Sequence, residues 1–143
     1  MADLESLVYR STANQPFGPD ELDDLAFRSQ LRNATLAISG YLTHRSGRFT
    51  QYLEGPPDAI GALYHAIEND DRHTIDIVVR LGITSRRFPD WSMKVLNPLW
   101  HPSAGSLDVI DELLQTSQVA ADVHTITPSL GRLLDQVAID EGY

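Results

Sequence analysis

The segment ATLAISGYLTHRSGRFTQYLEG, residues 34–55, constrains the fold of this chain more than any other stretch. It contains two runs typical of β-strands, and the serine and glycine of the HRSG sequence between them are typical of a hairpin turn. The two runs are therefore expected to pair as antiparallel strands. This hairpin places an antiparallel sheet at the centre of the predicted fold.

The second strand of the hairpin carries an amide on its apolar side. Phe49, Gln51 and Leu53 occupy every second position of GRFTQYLEG, so their side chains are expected to share one face. Burying an amide without hydrogen-bond partners costs about 1 to 3 kcal/mol. We therefore expect Gln51 to have a buried polar partner.

The flanking patterns complete five strands and two helices in the order β α β β α β β. Both helices begin with a proline and an acidic residue, which are favourable at a helix N-terminus. The patterns outside the hairpin predict a strand at residues 4–11, helices at residues 18–33 and 56–70, and strands at residues 74–86 and 91–96.

The same periodicities assign the buried faces. The second helix has a full apolar face, whereas the first has a thin stripe that runs from Leu22 through Leu25 towards Asn33. On the last two strands, the residues expected to share a face are Ile75, Ile77, Val79, Leu81 and Ile83 on strand four, and Trp91, Met93 and Val95 on strand five.

Residues 98–143 have a different composition from the preceding part of the chain. A segment rich in proline and glycine begins near Asn97 and is followed by two amphipathic helical patterns, one around Leu107 and Leu114 and one that begins at Thr127. We therefore predict a domain at residues 1–97 and a helical extension at residues 98–143 that packs on the open face of the sheet.

The composition and the motif search restrict the class of function. With 20 acidic and 11 basic residues the formal charge is −9, which opposes binding to nucleic acid or to an anionic membrane. No run approaches the roughly 18 apolar residues of a membrane span, so the cytoplasm is the expected location. The histidines lack the spacing of metal ligands, and the nucleotide-binding and hydrolase signatures are absent. No metal site is predicted. Acid–base catalysis by paired carboxylates stays open at this point, although a solvated surface explains the 20 acidic residues equally well.

Polar or polarisable residues recur on the inward phases of these elements. They are Tyr9 on strand one, Asn33 at the end of the first helix, Gln51 on strand three, and Trp91 and Met93 on strand five. Each has an ordinary explanation as a core residue or a helix cap, but Gln51 is needed neither for capping nor for packing. Together they predict a pocket with a polar end.

Five segments, taken together, resemble the BLUF domains, a family that senses blue light with a bound flavin. They are LVYRS, RNATLAISGYL, GRFTQYLEGP, LYHAIENDDRH and RRFPDWSMK, in the family's order and spacing. The familiar I-T-G of strand two stands here as Ile38, Ser39 and Gly40. The resemblance implies an α+β, ferredoxin-like fold: a mostly antiparallel five-stranded sheet with two helices on the flavin-binding face and two C-terminal helices on the opposite face.

The resemblance also implies roles for individual residues. Tyr9 corresponds to the family's redox-active tyrosine and Gln51 to the glutamine that switches between it and the flavin, while Leu25 and Ile67 are the candidates for flanking the ring. The remaining correspondences are Asn33 at the polar edge of the ring, Arg32 as a variable further contact, Arg72 and His73 near the pyrimidine edge and the ribityl chain, and Trp91 and Met93 as competitors for the pocket beside the glutamine.

The implied function is that of a blue-light photoreceptor and not that of an enzyme. Light excites the flavin, Tyr9 supplies an electron and then a proton, and Gln51 changes orientation or tautomer. The signal then leaves through strand five and the C-terminal helices towards an unidentified partner protein. Family precedent favours FAD over FMN, and the apolar faces of the C-terminal helices either seal the sheet or form a homo-oligomer. The alternatives are a small light-independent flavin enzyme and a structural interaction module on the same fold.

Overall fold

A computed structural model describes residues 4–120 and 127–143. Within these ranges, no helix combines the length and the hydrophobicity that a membrane span requires. The elements in chain order are β1 (Leu4–Ala13), α1 (Pro19–Leu36), β2 (Ser39–Arg45), β3 (Arg48–Gly55), α2 (Pro57–Glu68), β4 (His73–Ile83), β5 (Lys94–Val95), α3 (Ala104–Ala120) and α4 (Thr127–Asp140).

The strands form one mixed sheet in the order β4-β1-β3-β2-β5. The predicted hairpin is confirmed, because β2 and β3 pair antiparallel from Arg45↔Arg48 to Ser39↔Glu54. β1 lies between β3 and β4 and is antiparallel to both, whereas β5 is parallel to β2. The register places Tyr9 directly opposite Gln51.

Each face of the sheet has its own hydrophobic core. On one face, which we call the cavity face, Leu7 and Leu53 pack with Ile60 and Leu63 of α2. On the other face, the helix-docking face, the sheet packs against α3 and α4, whose buried side chains include Leu114. The C-terminal helices therefore cover the sheet, as expected from their amphipathic patterns.

The prediction that one face of β4 carries all its odd-numbered apolar residues is wrong. Ile77 and Val79 lie on the helix-docking face, but Ile75 lies on the cavity face. The cause is a β-bulge: Arg10 is paired with Ile77 and the next residue, Ser11, with Ile75, so Asp76 is an extra residue in β4. An extra residue reverses the alternation of side chains beyond it.

Several element boundaries differ from the sequence-based prediction, and the largest differences are at the end of α1 and in the fifth strand. Residues 34–36, predicted as the start of a strand, belong to α1, because the helix ends at a left-handed residue, Ala37, whose N–H bonds to the Asn33 carbonyl. The fifth strand is only two residues long. Because the chain ahead of it is irregular, Trp91 packs on the helix-docking face, whereas Met93 and Val95 lie on the cavity face. The predicted shared face is therefore confirmed for Met93 and Val95 and wrong for Trp91.

Candidate functional site

A cavity opens on the cavity face of the sheet, between α1 and α2. Its walls come from both helices and its floor from β1, β2 and β3. The lining residues are Tyr9, Phe17, Leu25, Ser29, Arg32, Leu42, Phe49, Gln51, Ile67, Asp70, Arg72 and His73.

The floor of the cavity contains a short hydrogen bond between the two residues singled out from the sequence. The Tyr9 hydroxyl donates to Gln51 Oε1 at 2.5 Å, and both side chains are buried. On its other side, the Gln51 amide nitrogen donates to Met93 Sδ at 3.4 Å. Sulfur is a weak acceptor, so Gln51 is held firmly through its oxygen and loosely through its nitrogen.

The surroundings of Tyr9 keep its phenol protonated. Burial raises the pKa of Tyr9 well above its ordinary value of 10.0, and the nearby Arg32 opposes this only in part. The rings of Tyr9 and His73 meet in a T-shaped arrangement, with their centroids 6.0 Å apart. His73 is itself fixed, because Nδ1 lies 2.8 Å from Ser11 Oγ and Nε2 lies 2.9 Å from the Ile67 carbonyl oxygen. A neutral Tyr9 is thus available as a hydrogen-bond donor.

Arg32 gives one side of the cavity a positive character, whereas Asp70, which also lines the cavity, balances the charge of Arg72. Arg72 is paired with Asp70 through Nε at 2.9 Å and Nη2 at 2.5 Å, and these hydrogen bonds lower the pKa of Asp70 to about 2. Arg32 is largely exposed to solvent, but partial desolvation of its guanidinium still lowers its pKa. Among the described residues, no carboxylate lies within ion-pair distance of Arg32. Its guanidinium therefore has charge and hydrogen bonds to offer a ligand.

The structure brings most of the predicted site residues together, but three lie outside the lining. Asn33, in the last turn of α1, is fully buried, and its amide nitrogen donates to the Ser92 carbonyl at 2.8 Å. Met93 is buried behind Gln51. Trp91 lies on the opposite face of the sheet, stacked on Phe88 at 5.1 Å between ring centroids. The roles assigned to these three residues, like those of the predicted residues that line the cavity, stay predictions.

Sequence reasoning missed several residues that line the cavity. Phe49 shares the face of Gln51, and Ser29 belongs to the thin stripe of α1, so both had a periodicity that could have identified them. Asp70 could have been found as the acidic neighbour of Arg72. Phe17 lies in the loop before α1, where no periodic pattern points towards the cavity.

The lining fits a flat, partly polar ligand such as a flavin. Leu25 on α1 and Ile67 on α2 supply apolar walls, whereas the Tyr9 and Gln51 pair and the Arg32 guanidinium supply polar groups. Apolar walls with a few convergent polar groups are typical of cofactor sites. The cavity also explains why the apolar stripe of α1 is thin, because part of that helix borders the cavity rather than a packed core.

One family model matches most of the residues that build the sheet and the cavity. The model is that of BLUF, described as sensors of blue-light using FAD, and it matches residues 4–94, more than half of the chain. The chain belongs to the BLUF family. BLUF domains are light-sensing modules that bind a flavin, and this membership does not favour a light-independent enzyme or a purely structural module.

Curated relatives of this BLUF chain are larger proteins. The photoactivated adenylate cyclase subunit beta of Euglena longa is 38% identical over 92 residues, which are 63% of this chain and 11% of the relative. The blue light- and temperature-regulated antirepressor BluF of Escherichia coli K12 is 30% identical over 70 residues, 49% of this chain and 17% of the relative. The chain thus spans only a small part of the curated relatives that it matches.

Solved BLUF structures share the fold. The BLUF protein BlrB in its dark state is 28% identical with a TM-score of 0.70, and the match covers 100% of this chain and 99% of BlrB. BlrP1 of Klebsiella pneumoniae, solved with FMN and cyclic diGMP, is 33% identical with a TM-score of 0.61 and covers 74% of this chain and 29% of BlrP1. The match to BlrB includes the C-terminal helices, which lie beyond the residues of the family match.

Proposed function

We propose that this chain is a blue-light photoreceptor in which the Tyr9 and Gln51 pair is the switch. The observation that carries this proposal is the 2.5 Å hydrogen bond from a buried, protonated Tyr9 to Gln51 Oε1 at the floor of the cavity. We propose FAD as the cofactor, because the description of the family names FAD. FMN, which BlrP1 holds in one structure, is the competing cofactor.

The residues of the chain have distinct tasks in this proposal. Leu25 and Ile67 would hold the flavin ring, and Arg32, Arg72 and His73 would contact its polar groups and the chain attached to it. Asn33 would need a changed rotamer to reach the flavin, since its amide bonds the Ser92 carbonyl. The flavin supplies the absorption of blue light and accepts the electron that a tyrosine gives up.

Tyr9 and Gln51 convert this event into a different hydrogen-bond pattern. Loss of an electron makes a phenol strongly acidic, and the proton of Tyr9 already points at Gln51 Oε1. A glutamine amide presents an acceptor on one side and donors on the other, so rotating or tautomerising it exchanges what Tyr9 and Met93 each face. A rearranged buried hydrogen bond is worth about 1 to 3 kcal/mol, enough to change the population of two conformations.

The proposed output is a contact with a partner protein. Met93 touches Gln51 on the cavity face, while Trp91, two residues earlier, packs against Tyr143 near the C-terminus at 5.5 Å between ring centroids. We propose residues 1–97 as the light-sensing part and residues 98–143 as the part that passes the signal on. The relatives include adenylate cyclase subunits and an antirepressor, so protein effectors are the expected class of partner.

The proposal is tested by the absorption spectrum of the flavin-loaded chain. Blue light should shift the flavin band slightly to the red, and the shift should decay in darkness. Tyr9→Phe and Gln51→Leu should both retain bound flavin and lose the shift. Tyr41→Phe is the matched control, because the Tyr41 phenol is buried on the helix-docking face and its oxygen has no hydrogen-bond partner among the described residues. A normal photocycle in Tyr9→Phe or Gln51→Leu would contradict the mechanism.

The same preparation identifies the cofactor. Denaturing the purified protein releases the flavin, and its mass distinguishes FAD from FMN. When the chain is loaded from a mixture of equal amounts of FAD and FMN, we expect the released flavin to be FAD. Release of FMN alone would overturn FAD as the cofactor but would leave the proposed Tyr9 and Gln51 switch unaffected.

A further inference from the structure

The RRF sequence that precedes the fifth strand lies outside the cavity, yet it surrounds a buried carboxylate. Glu54 of β3 is fully buried. Its Oε2 accepts hydrogen bonds from Ser39 Oγ at 2.8 Å and from the Phe88 N–H at 2.9 Å. Its Oε1 accepts from the Tyr52 hydroxyl at 2.9 Å and from the Arg87 N–H at 2.7 Å. A buried carboxylate is costly unless hydrogen bonds compensate for the lost water. Because two of these bonds come from the backbone N–H groups of Arg87 and Phe88, Glu54 fixes the backbone at Arg87.

The Arg87 side chain bonds a central strand and a C-terminal helix at once. Its Nη1 donates to the Tyr52 hydroxyl oxygen at 3.0 Å, and its Nε donates to Asp135 Oδ1 of α4 at 2.7 Å. Its Nη2 lies 3.5 Å from the Gly131 carbonyl oxygen, also in α4. The side chain is only 15% exposed. A guanidinium presents its donors in a rigid planar fork, so movement at one partner changes the geometry at the others.

The strand partner of Arg87 is the neighbour of the proposed switch. Gln51 and Tyr52 are consecutive in β3, and consecutive side chains of a strand point to opposite faces. Gln51 therefore faces the cavity while Tyr52 faces the C-terminal helices, and one peptide unit joins them. Tyr52 is also held between the rings of Tyr41 and Phe88, so its hydroxyl position follows the strand backbone.

We propose that Arg87 is the positioning residue that couples the Gln51 strand to α4, through Tyr52 on one side and Asp135 on the other. The inference rests on the proposed light-sensing function. Its route crosses the sheet within β3, and is separate from the route through Met93 and the fifth strand. Rearrangement at Gln51 displaces the β3 backbone, the Arg87 fork loses its fit to Asp135 and Gly131, and the docking of α4 weakens.

Hydrogen exchange of the full-length, FAD-loaded chain, measured by mass spectrometry in darkness and under continuous blue light, tests this coupling. In the unchanged protein the amides of α4 should exchange at least about five-fold faster in light, the lower end of usual coupling between sites. In Arg87→Met, the ratio of lit to dark exchange should fall to near one, while the red shift of the flavin band is retained. A merely structural role would speed exchange equally in light and darkness and leave the ratio unchanged.

Arg45→Met is the matched control, because Arg45 of β2 bonds Asp108 of α3 at 2.8 Å and so joins the sheet to the other C-terminal helix. This variant should keep the light-dependent ratio in α4. Asp135→Asn, at a carboxylate that is 61% exposed, removes the same ion pair without touching the core and should behave as Arg87→Met does. An unchanged ratio in both Arg87→Met and Asp135→Asn overturns the coupling, as does a ratio of one in the unchanged protein with a normal red shift. Absence of the red shift in the unchanged protein would instead overturn the proposed function itself.

Discussion

Gln51 has one carbonyl oxygen and one amide nitrogen to share among Tyr9, Met93 and a ligand in the cavity. Its oxygen is occupied by the Tyr9 hydroxyl, whereas the acceptor for its nitrogen among the described residues is a thioether sulfur. When the amide is rotated, the nitrogen loses only this weak contact, and the Tyr9 hydroxyl oxygen can accept from it in place of the bond that Tyr9 donated. The amide that looked costly on an apolar strand face is therefore satisfied in a way that also permits rearrangement.

The sulfur contact of Met93 can be removed with little change in volume. Met93→Leu should alter the free energy of unfolding by less than about 1.5 kcal/mol, because swaps that conserve the volume of a core side chain are well tolerated. The side-chain amide of Gln51 should nevertheless change its nitrogen chemical shift, since its acceptor is gone. Urea denaturation and amide NMR measure the two effects. An unchanged Gln51 resonance would show that the sulfur does not accept this hydrogen bond.

Asp70 gives the site a dependence on acid pH. Arg72 lowers the pKa of Asp70 from 3.8 to about 2 in the folded chain. Because the folded pKa is depressed, the stability that this pair contributes is present above about pH 3.8 and is lost as the pH falls through about 2. The pair is partly exposed, so the contribution is at most about 1 kcal/mol.

Carboxyl NMR titration measures this effect at the residue itself. The midpoint for Asp70 should lie near 2, and in Arg72→Met it should return towards 3.8. Arg80→Met, which removes the ion pair with Glu5 at the far end of β4, serves as the control and should leave the Asp70 midpoint in place. A midpoint near 3.8 in the unchanged protein contradicts the interaction.

Among the elements, the hairpin of β2 and β3 depends on a close backbone approach. Gly40 has φ of +155°, and a Cβ placed there would lie 1.9 Å from the Tyr52 carbonyl oxygen. Gly40→Ala should therefore destabilise the chain by at least about 2 kcal/mol, through backbone strain and overpacking together. Gly82→Ala in β4 is the control, because a Cβ there meets no atom within 4 Å. Thermal unfolding compares the two, and equal losses would contradict the steric explanation.

The elements also show which patterns could be predicted from the sequence. The hairpin, the two helices around the cavity and the alternation that turns Gln51 inward were predicted correctly, because strand and helix periodicities act locally. The bulge at Asp76 was not, since the strand reads as regular alternation and the extra residue is defined only by pairing with β1. The opposite placement of Trp91 and Met93 also depends on contacts with distant elements, Tyr143 and Gln51.

For the molecule as a whole, the sheet is shared by two cores, and the helices after residue 97 supply much of one of them. Leu114, Leu130 and Leu134 of α3 and α4 are fully buried against the sheet. The sequence boundary at residue 97 therefore marks a change of composition, while the hydrophobic core continues across it. Whether residues 1–97 form an independent domain therefore depends on whether they stay folded and monomeric when α3 and α4 no longer cover the helix-docking face.

Truncation after residue 97 tests whether residues 1–97 form an independent domain. The shortened chain would expose the apolar face around Val8, Ile77 and Val79, and it should self-associate or unfold without cooperativity. Light scattering after size-exclusion chromatography and thermal circular dichroism measure the two outcomes. Leu134→Ala in the full chain is a milder change of the same core and should lower the free energy of unfolding by about 2 to 5 kcal/mol. A monomeric, cooperatively unfolding fragment would establish the independent domain instead.

The β-bulge in β4 determines which side chains line the cavity, although Asp76, its extra residue, is not among them. His73, Ile75 and Ile77 are spaced two apart, so in an unbroken strand all three would face the C-terminal helices. The extra residue of the bulge reverses the alternation before it, so the side chains of His73 and Ile75 point to the cavity face. His73 therefore lies beside Ser11 and Tyr9. The length of this strand, and not only the identity of its residues, thus determines whether an imidazole belongs to the light-sensing site or to the core behind it.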